Sequence, residues 1–299
     1  MSNISFLDWK VGCHIEFNKN ISSTCKDAIN YSMNSVQFFL GSPYSFIRKE
    51  ISFDDITQAK KLLKRFPLAV FSHYPYVANL AGSIKNLAWS GNTEQDNKTT
   101  FLAKQIEYEL SVLSNFDING VVIHPGSYPN RKLGLNAIAT TINKINFVKN
   151  SKLLLENAAG EGTKLATTFE EIQKILSLID NNKQKHVGVC IDTAHIHGVG
   201  EYDLSKVSEV KRMFHEFDSI IGPEKFSLLH LNDSQVPLKS KTDRHACIGT
   251  GYIWGESIES LYYLLETCHS RNIPIVLETH GLDMLTLGSI SDTYKNKND

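Results

Sequence analysis

No stretch of this chain approaches the roughly 20 consecutive apolar residues needed to span a bilayer. Its start, MSNISFLDWK, lacks the apolar centre of a signal peptide. A membrane partner is therefore not expected. An intracellular protein is, with cytoplasm, nucleus and virion left undistinguished. Cysteine is sparse as well. The five cysteines, odd in number and without a Cys-x-x-Cys spacing, argue against a disulfide framework. Cys190 lies inside an apolar run and reads as a small buried hydrophobe. Cys13 and Cys25 could approach each other at the start of the fold, a bond that sequence alone does not establish. Nor is there a surplus of charge of one sign: 31 basic and 32 acidic residues leave a formal net charge of −1. That balance disfavours a polyanionic partner until bound metal is considered. Three divalent ions would bring the total to about +5, much of it in one cleft. Internal repeats and low-complexity segments are absent too.

What the chain does have is a regular alternation. Its 299 residues, 41% hydrophobic and 21% charged, fit one large globular domain or two ordinary ones with ample apolar material for a core. Buried strands are expected at VGCHIEF (11–17), VQFFL (36–40), LAVFSHY (68–74), GVVIHPG (120–126), KLLLENA (152–158), VGVCIDT (187–193), FSLLHLN (226–232) and IPIVLET (273–279). Continuous Val/Ile/Leu runs of this length suit parallel strands covered on both faces. Helical patterns lie between most of them, at 100–116, 168–180 and 257–270, and Thr168 with Glu171 makes a capping box for the second. Eight strands with interleaved helices suit a (β/α)₈ TIM barrel, although a doubly wound open sheet has the same alternation. The polar stretch SGNTEQDNKTT (90–100) reads as a flexible loop excursion. The whole of 1–299 reads as a single domain whose tail, from about residue 285, is frayed.

Nine residues capable of ligating a metal lie at or just past the ends of these runs: His73, His124, Glu156, Asp192, His195, His230, Asp243, His245 and Glu278. This pattern decides between the two architectures, because only a closed barrel brings so many strand ends around one centre. Imidazoles mixed with carboxylates suit zinc or manganese rather than calcium. With about four ligands per tetrahedral ion, the set suffices for two or three metals. Asp243 and His245, two apart in an extended segment, point the same way and suit one ion. Asp192 and His195, three apart across a turn, face one ion or straddle two. Any one of these histidines alone reads as a satisfied, half-buried imidazole. Glu156, Asp192 and Glu278 resist that reading, because carboxylates at the ends of apolar strands need positive partners and no matching lysines are nearby. His14 lines the cleft or is structural. His197 stays ambiguous, while His186, His215, His269 and His280 fall outside the site. Tyr76 stacks on a substrate or packs under a lid. The glycines of NAAGEG and CIGTG are turn-formers, lacking phosphate-loop spacing.

At these residues the chain resembles the endonuclease IV family of apurinic/apyrimidinic (AP) DNA-repair nucleases. The match runs through HPGS (124–127), LENAAGEG (155–162), VGVCIDTAHIHGVGEYD (187–203), HLNDS (230–234), DRHACIGTGYI (243–253) and LET (277–279). The resemblance implies a TIM barrel with three zinc ions, Mn²⁺ being an alternative in one or more sites. Glu156 would bridge two ions, one also held by His73 and His124, the other by Asp192, His230 and Glu278. His195, Asp243 and His245 would hold the third. It further implies hydrolysis of the phosphodiester 5′ to an abasic site, leaving 3′-OH and 5′-deoxyribose phosphate ends, with Glu156 and Glu278 as the catalytic carboxylates. The implied partner is double-stranded DNA with abasic sites or blocked 3′ ends, met by a monomer. Tyr76 and Val77 stand where the family inserts side chains into the minor groove. The family's stack-inserting arginine has no direct counterpart: LGSPYSF (40–46) stands in its place, with Tyr44 or Arg48 nearest. The chain from about 81 to 100 is also longer than usual for the family. The rival readings are a two-metal sugar isomerase or epimerase using Glu156, Asp192, His230 and Glu278, and a non-catalytic lesion binder.

Overall fold

A computed structural model describes residues 9–17, 19–82, 93–116, 119–279 and 288, with 93–99 described by their backbone only. The strands are β1 (Val11–His14), β2 (Ser35–Phe38), β3 (Ala69–His73), β4 (Gly120–Ile123), β5 (Leu153–Glu156), β6 (Val187–Asp192) and β7 (Phe226–His230). They continue with the two-residue strands β8 (Asp233–Ser234) and β9 (His245–Ala246), and with β10 (Ile275–Leu277). The helices are α1 (Ile21–Asn30), α2 (Phe53–Arg65), α3 (Thr93–Ser114), α4 (Arg131–Asn143), α5 (Phe169–Ser177), α6 (Thr193–Val199), α7 (Val207–Ile220) and α8 (Glu259–Ser270). Each barrel strand pairs in parallel with the next, and β10 closes the ring on β1 with Val11 opposite Ile275. The closed barrel, not the open sheet, is what this chain forms. β8 and β9 form a separate antiparallel pair inside the loop that follows β7.

All eight expected runs contain a barrel strand, but the strands are shorter than the runs. The apolar run continues past the last ladder residue into the loop that carries the candidate ligands, so His124 and Glu278 stand one residue beyond β4 and β10. The period of two along a strand then places the site. Phe71, Val122, Leu154, Cys190, Leu228 and Val276 belong to a small apolar cluster separate from the main core. The residues two positions further on are His73, His124, Glu156, Asp192, His230 and Glu278. The apolar layer is thus the floor of the barrel lumen, and the candidate ligands form the next layer toward the C-terminal ends. Cys190 is buried in that floor, as expected. The outer faces of the strands pack with the helices in the main core, which includes Ile106, Leu110, Ile138, Ile172, Phe217 and Leu264.

Two local expectations need correction. Residues 93–100 are not a loop: α3 begins at Thr93, because the polar stretch continues the helix that the apolar residues further along anchor. Residues 83–92, the rest of the long 81–100 segment, lie outside the described residues, as do His280 and the tail from 289. The capping box at α5 is only half formed. Thr168 accepts from the Glu171 amide, but the Glu171 carboxylate accepts from the Thr167 amide at 3.0 Å and pairs with Arg131 instead of returning to Thr168. Cys13 and Cys25 are both buried, and no disulfide joins them.

Candidate metal centre

Glu156 is the hub of the barrel mouth. Its side chain is 1% exposed and meets four imidazoles. Oε2 lies 3.2 Å from His73 Nε2 and 3.0 Å from His124 Nε2, while Oε1 lies 3.1 Å from His230 Nδ1 and 3.5 Å from His195 Nδ1. One oxygen therefore serves the β3–β4 side of the mouth and the other the β6–β7 side, so Glu156 could help to hold two cations. Glu278 Oε2 is 3.3 Å from His230 Nδ1. Asp243, in the loop between β8 and β9, reaches His195 Nε2 at 3.1 Å with one oxygen and His245 Nε2 at 3.0 Å with the other.

Asp192 does two things at once. Its Oδ1 accepts the His195 amide at 2.9 Å and so caps the N-terminus of α6, which fixes His195 in the first turn of that helix. Oδ2 faces the centre, 3.7 Å from His245 Nε2 and 4.0 Å from His230 Nδ1. The spacing in Asp-Thr-Ala-His thus has a local cause, and Asp192 straddles two groups. Three clusters have ligand atoms within 4.8 Å of one another: His73, His124 and Glu156; Glu156, Asp192, His230 and Glu278; and Asp192, His195 and His245, with Asp243 against both of the last imidazoles.

The tautomers show why these residues fit cations. His73 Nδ1 donates to the Tyr74 carbonyl at 2.8 Å, and His195 Nδ1 donates to the Asn157 carbonyl at 2.8 Å. His230 Nε2 donates to Gln37 Oε1 at 2.9 Å. Each ring spends its N–H on a neutral acceptor and turns the opposite nitrogen toward a carboxylate. A lone pair facing a carboxylate at about 3 Å is repulsive unless a proton or a metal cation lies between them. His195 Nε2 and His245 Nε2 are buried atoms that make no hydrogen bond of their own. With protons alone in the cluster, burial pushes His195 down, but Asp192, Asp243 and Glu156 outweigh it and raise the ring to about 10. His245 rises to about 9 against the same burial penalty, chiefly through Asp192 and Asp243. Burial likewise pushes Glu156 up, yet His124 and His230 hold its carboxyl well below the ordinary range. Such a mutually charged, buried cluster of nitrogen and oxygen donors fits divalent transition metals.

Three amides that sequence reading passed over hold the candidate ligands in place. Gln37 Nε2 donates to Glu278 Oε1 at 2.9 Å and approaches His14 Nδ1 at 3.0 Å. Asn232 Nδ2 donates to Asp192 Oδ2 at 2.6 Å and Glu278 Oε2 at 3.2 Å, while its Oδ1 accepts the Glu278 amide. Asn157 Oδ1 accepts the Asp192 amide at 2.6 Å. The available signal was positional: Gln37 is a buried polar residue within an apolar run, and Asn157 and Asn232 follow ligands directly or at a spacing of two. His14 does line the site, its Nδ1 4.0 Å from Glu278 Oε1, and burial lowers it to about 4. His197 does not: it donates to the Val236 carbonyl from outside the cluster. His186 stacks on Phe147 and His269 on Trp9, both away from the centre.

A cavity of about 250 Å³ beside the cluster is lined by Tyr76–Asn79, His124–Ser127, Asn157, Ala158, Lys164 and His195. Tyr76 and Val77 are about half exposed at its rim, and Tyr44 is 74% exposed. The Tyr76 ring centroid lies 5.3 Å from that of His73, 5.4 Å from His124 and 6.1 Å from Tyr44. Arg48, the other candidate to replace the inserted arginine, is withdrawn from this surface. Its side chain is 4% exposed and pairs with the buried Glu109 at 2.8 Å. Among the described residues no helix is long and apolar enough to cross a membrane.

Comparison with known proteins agrees with this geometry. A family model described as a xylose isomerase-like TIM barrel matches residues 25–261. A Clostridium botulinum protein named "Probable endonuclease 4" is 33% identical over 274 residues, which are 90% of this chain and 92% of the relative. A relative of the same name from Mycoplasma mycoides subsp. mycoides is 33% identical over 282 residues, 91% of each. Among solved structures, endonuclease IV of Thermus thermophilus has a TM-score of 0.77 at 23% identity, covering 96% of this chain and 99% of its own. An L-ribulose 3-epimerase reaches 0.59 at 14% identity, covering 91% and 82%. At those identities the two structures speak to the fold alone, whereas the sequence relatives, matched nearly end to end, speak to descent. The chain belongs to the endonuclease 4 family, on a xylose isomerase-like TIM barrel.

Proposed function

We propose that this protein is a trinuclear-zinc AP endonuclease of DNA repair, a single catalytic domain that hydrolyses the phosphodiester 5′ to abasic sites in double-stranded DNA and leaves 3′-OH and 5′-deoxyribose phosphate ends. One observation carries this reading: nine ligands converge on one barrel mouth around a carboxylate whose two oxygens each face a different group of imidazoles. Bound divalent ions lower the pKa of water toward about 7 and neutralise charge on phosphate.

The protein's own groups do the rest. Glu278, anchored through both carboxylate oxygens by Gln37 and Asn232, orients the attacking water and takes its proton at Oε1 or Oε2. Glu156 holds the two sides of the cluster at a fixed separation. His195, Asp243 and His245 would hold the third ion, whose charge would be available to the departing 3′-oxygen. Tyr76 and Val77 enter the duplex at the lesion, with Tyr44 beside them. A missing base makes that entry cheap, since little stacking is lost. The whole of 1–299 acts in this reading as a monomer, and blocked 3′ ends are a further substrate class.

The compact four-ligand group of Glu156, Asp192, His230 and Glu278 favours the isomerase or epimerase reading. That alternative gives His73, His124, Asp243 and His245 no task. The deciding experiment is incubation with a duplex carrying one abasic site, with and without a strong chelator, beside a metal count. Chelator-sensitive incision only at the lesion and three ions per chain are expected. An intact duplex with two bound ions would overturn the assignment.

A further inference from the structure

The loop between β2 and α2 carries Tyr44 to the rim of the cleft, and a buried ion pair lies behind it. Gly41 and Arg48 bridge across the loop, Lys49 N donates to the Leu40 carbonyl at 3.1 Å, and Tyr76 N donates to the Pro43 carbonyl at 2.9 Å. Arg48 then ties three segments together. Its Nη1 donates to the Ser45 and Ile47 carbonyls of its own loop, its guanidinium lies 5.2 Å from the centre of the Tyr74 ring, and its Nε meets Glu109 on α3. Glu109 in turn accepts the Ser72 hydroxyl at 2.6 Å, on the strand whose next residue is the ligand His73. Nothing in the hydrolytic chemistry uses Arg48 or Glu109. A fully buried ion pair is also a poor source of stability, because desolvation offsets most of its attraction, whereas it fixes geometry well.

We propose that Arg48 and Glu109 are positioning residues that set the Tyr44 loop against Tyr76 and so govern how tightly a lesion is gripped, without taking part in bond cleavage. The proposal rests on the lesion-binding role of the Tyr44–Tyr76 rim given above. It explains why an arginine in the loop nearest the DNA points inward: here the cation shapes the surface that contacts DNA.

The test compares wild type with Arg48→Met, Glu109→Gln and the double variant Arg48→Met/Glu109→Met, which leaves no unpaired buried charge if a single variant folds poorly. Amide hydrogen exchange at Lys49 and Tyr76 should accelerate about tenfold in all three. The Kd for a duplex with one abasic site should rise about tenfold, while metal content and the single-turnover rate at saturating DNA stay at wild-type values. In a Tyr44→Ala background, Arg48→Met should add no further loss of affinity. Unchanged exchange, a loss that multiplies with Tyr44→Ala, or a fall in rate at unchanged Kd would each overturn the proposal. Should wild type bind abasic and intact duplex equally, the functional reading fails, and the exchange measurement still decides whether the pair positions the loop.

Discussion

At the scale of single residues, Glu156 and the third ligand group differ in what they put at risk. Glu156→Ala removes the one group that four imidazoles face, so strand cleavage should vanish and at least one metal should be lost; near-normal turnover would remove Glu156 from the mechanism. His245→Ala should instead cut the single-turnover rate by several orders of magnitude with a smaller effect on DNA binding, since the loss belongs to the chemical step. The double variant with Asp243→Ala should be little worse than either single one, because Asp243 and His245 meet at 3.0 Å and would act through one ion in the proposed assignment. Two independent, multiplying defects would break that assignment. These carboxylates and histidines were legible in the sequence because buried charge at the end of an apolar strand is costly and needs a partner. Gln37, Asn157 and Asn232 were not. A neutral amide signals nothing until its neighbours are known, and its value here comes from segments far apart in sequence, as where Gln37 meets Glu278. Arg48 misled for a related reason: its place in the chain gave its loop, but only the fold shows that it turns inward to Glu109.

At the scale of elements, the strands were readable because two-sided burial leaves continuous apolar runs, and their order around the barrel follows from the closed ring. The loop after β7 was not. There the buried Asp233 accepts backbone amides from Ser234, Gly249, Gly251 and Ile253, drawing the GTGYI turn around a single side chain. Gly251 is needed for that approach, since a Cβ there would lie 2.5 Å from Asp233 Oδ1. This carboxylate shapes the segment that presents Asp243 and His245. Asp233→Ala should therefore destabilise the protein by about 3 kcal/mol, through buried amides left unsatisfied, and lower metal occupancy of the third group. Equal thermal midpoints with and without the substitution would show that the loop is held otherwise. The rim makes a different prediction. Tyr76→Ala should weaken discrimination between abasic and intact duplex by tenfold or more, since stacking of an aromatic on a base contributes about 1–3 kcal/mol. Unchanged affinity for abasic DNA in a binding titration would make Tyr76 a packing residue.

For the molecule as a whole, metal-free protein should show an inverted response to pH. His245 and His195 have folded-state values of about 9 and about 10, above the ordinary 6.5. Their contribution to stability is thus complete below about pH 6.5 and is lost as pH rises through 9 to 10. The thermal midpoint of chelated protein should fall across that interval. Metal-loaded protein should hold its midpoint there, because ions compete with protons for the same nitrogens and bind better as protons leave. A chelated sample that gains stability from pH 7 to 10 would contradict the charge assignment of the cluster.

The apolar floor of Phe71, Val122, Leu154, Cys190, Leu228 and Val276 has a bearing on how the protein meets its substrate. Beneath the charged layer it forms an insulating base, so field lines from the cluster leave chiefly through the open mouth. Four carboxylates stand over that base, and without metal the protonated His195 and His245 offset part of their charge, so the opening holds little attraction for phosphate. The three divalent ions of the proposed enzyme would make the same opening an attractor. Metal loading would then gate encounter as well as turnover. Stopped-flow association with a short duplex should be fast and steeply salt-dependent for the loaded protein, and slow with little salt dependence after chelation.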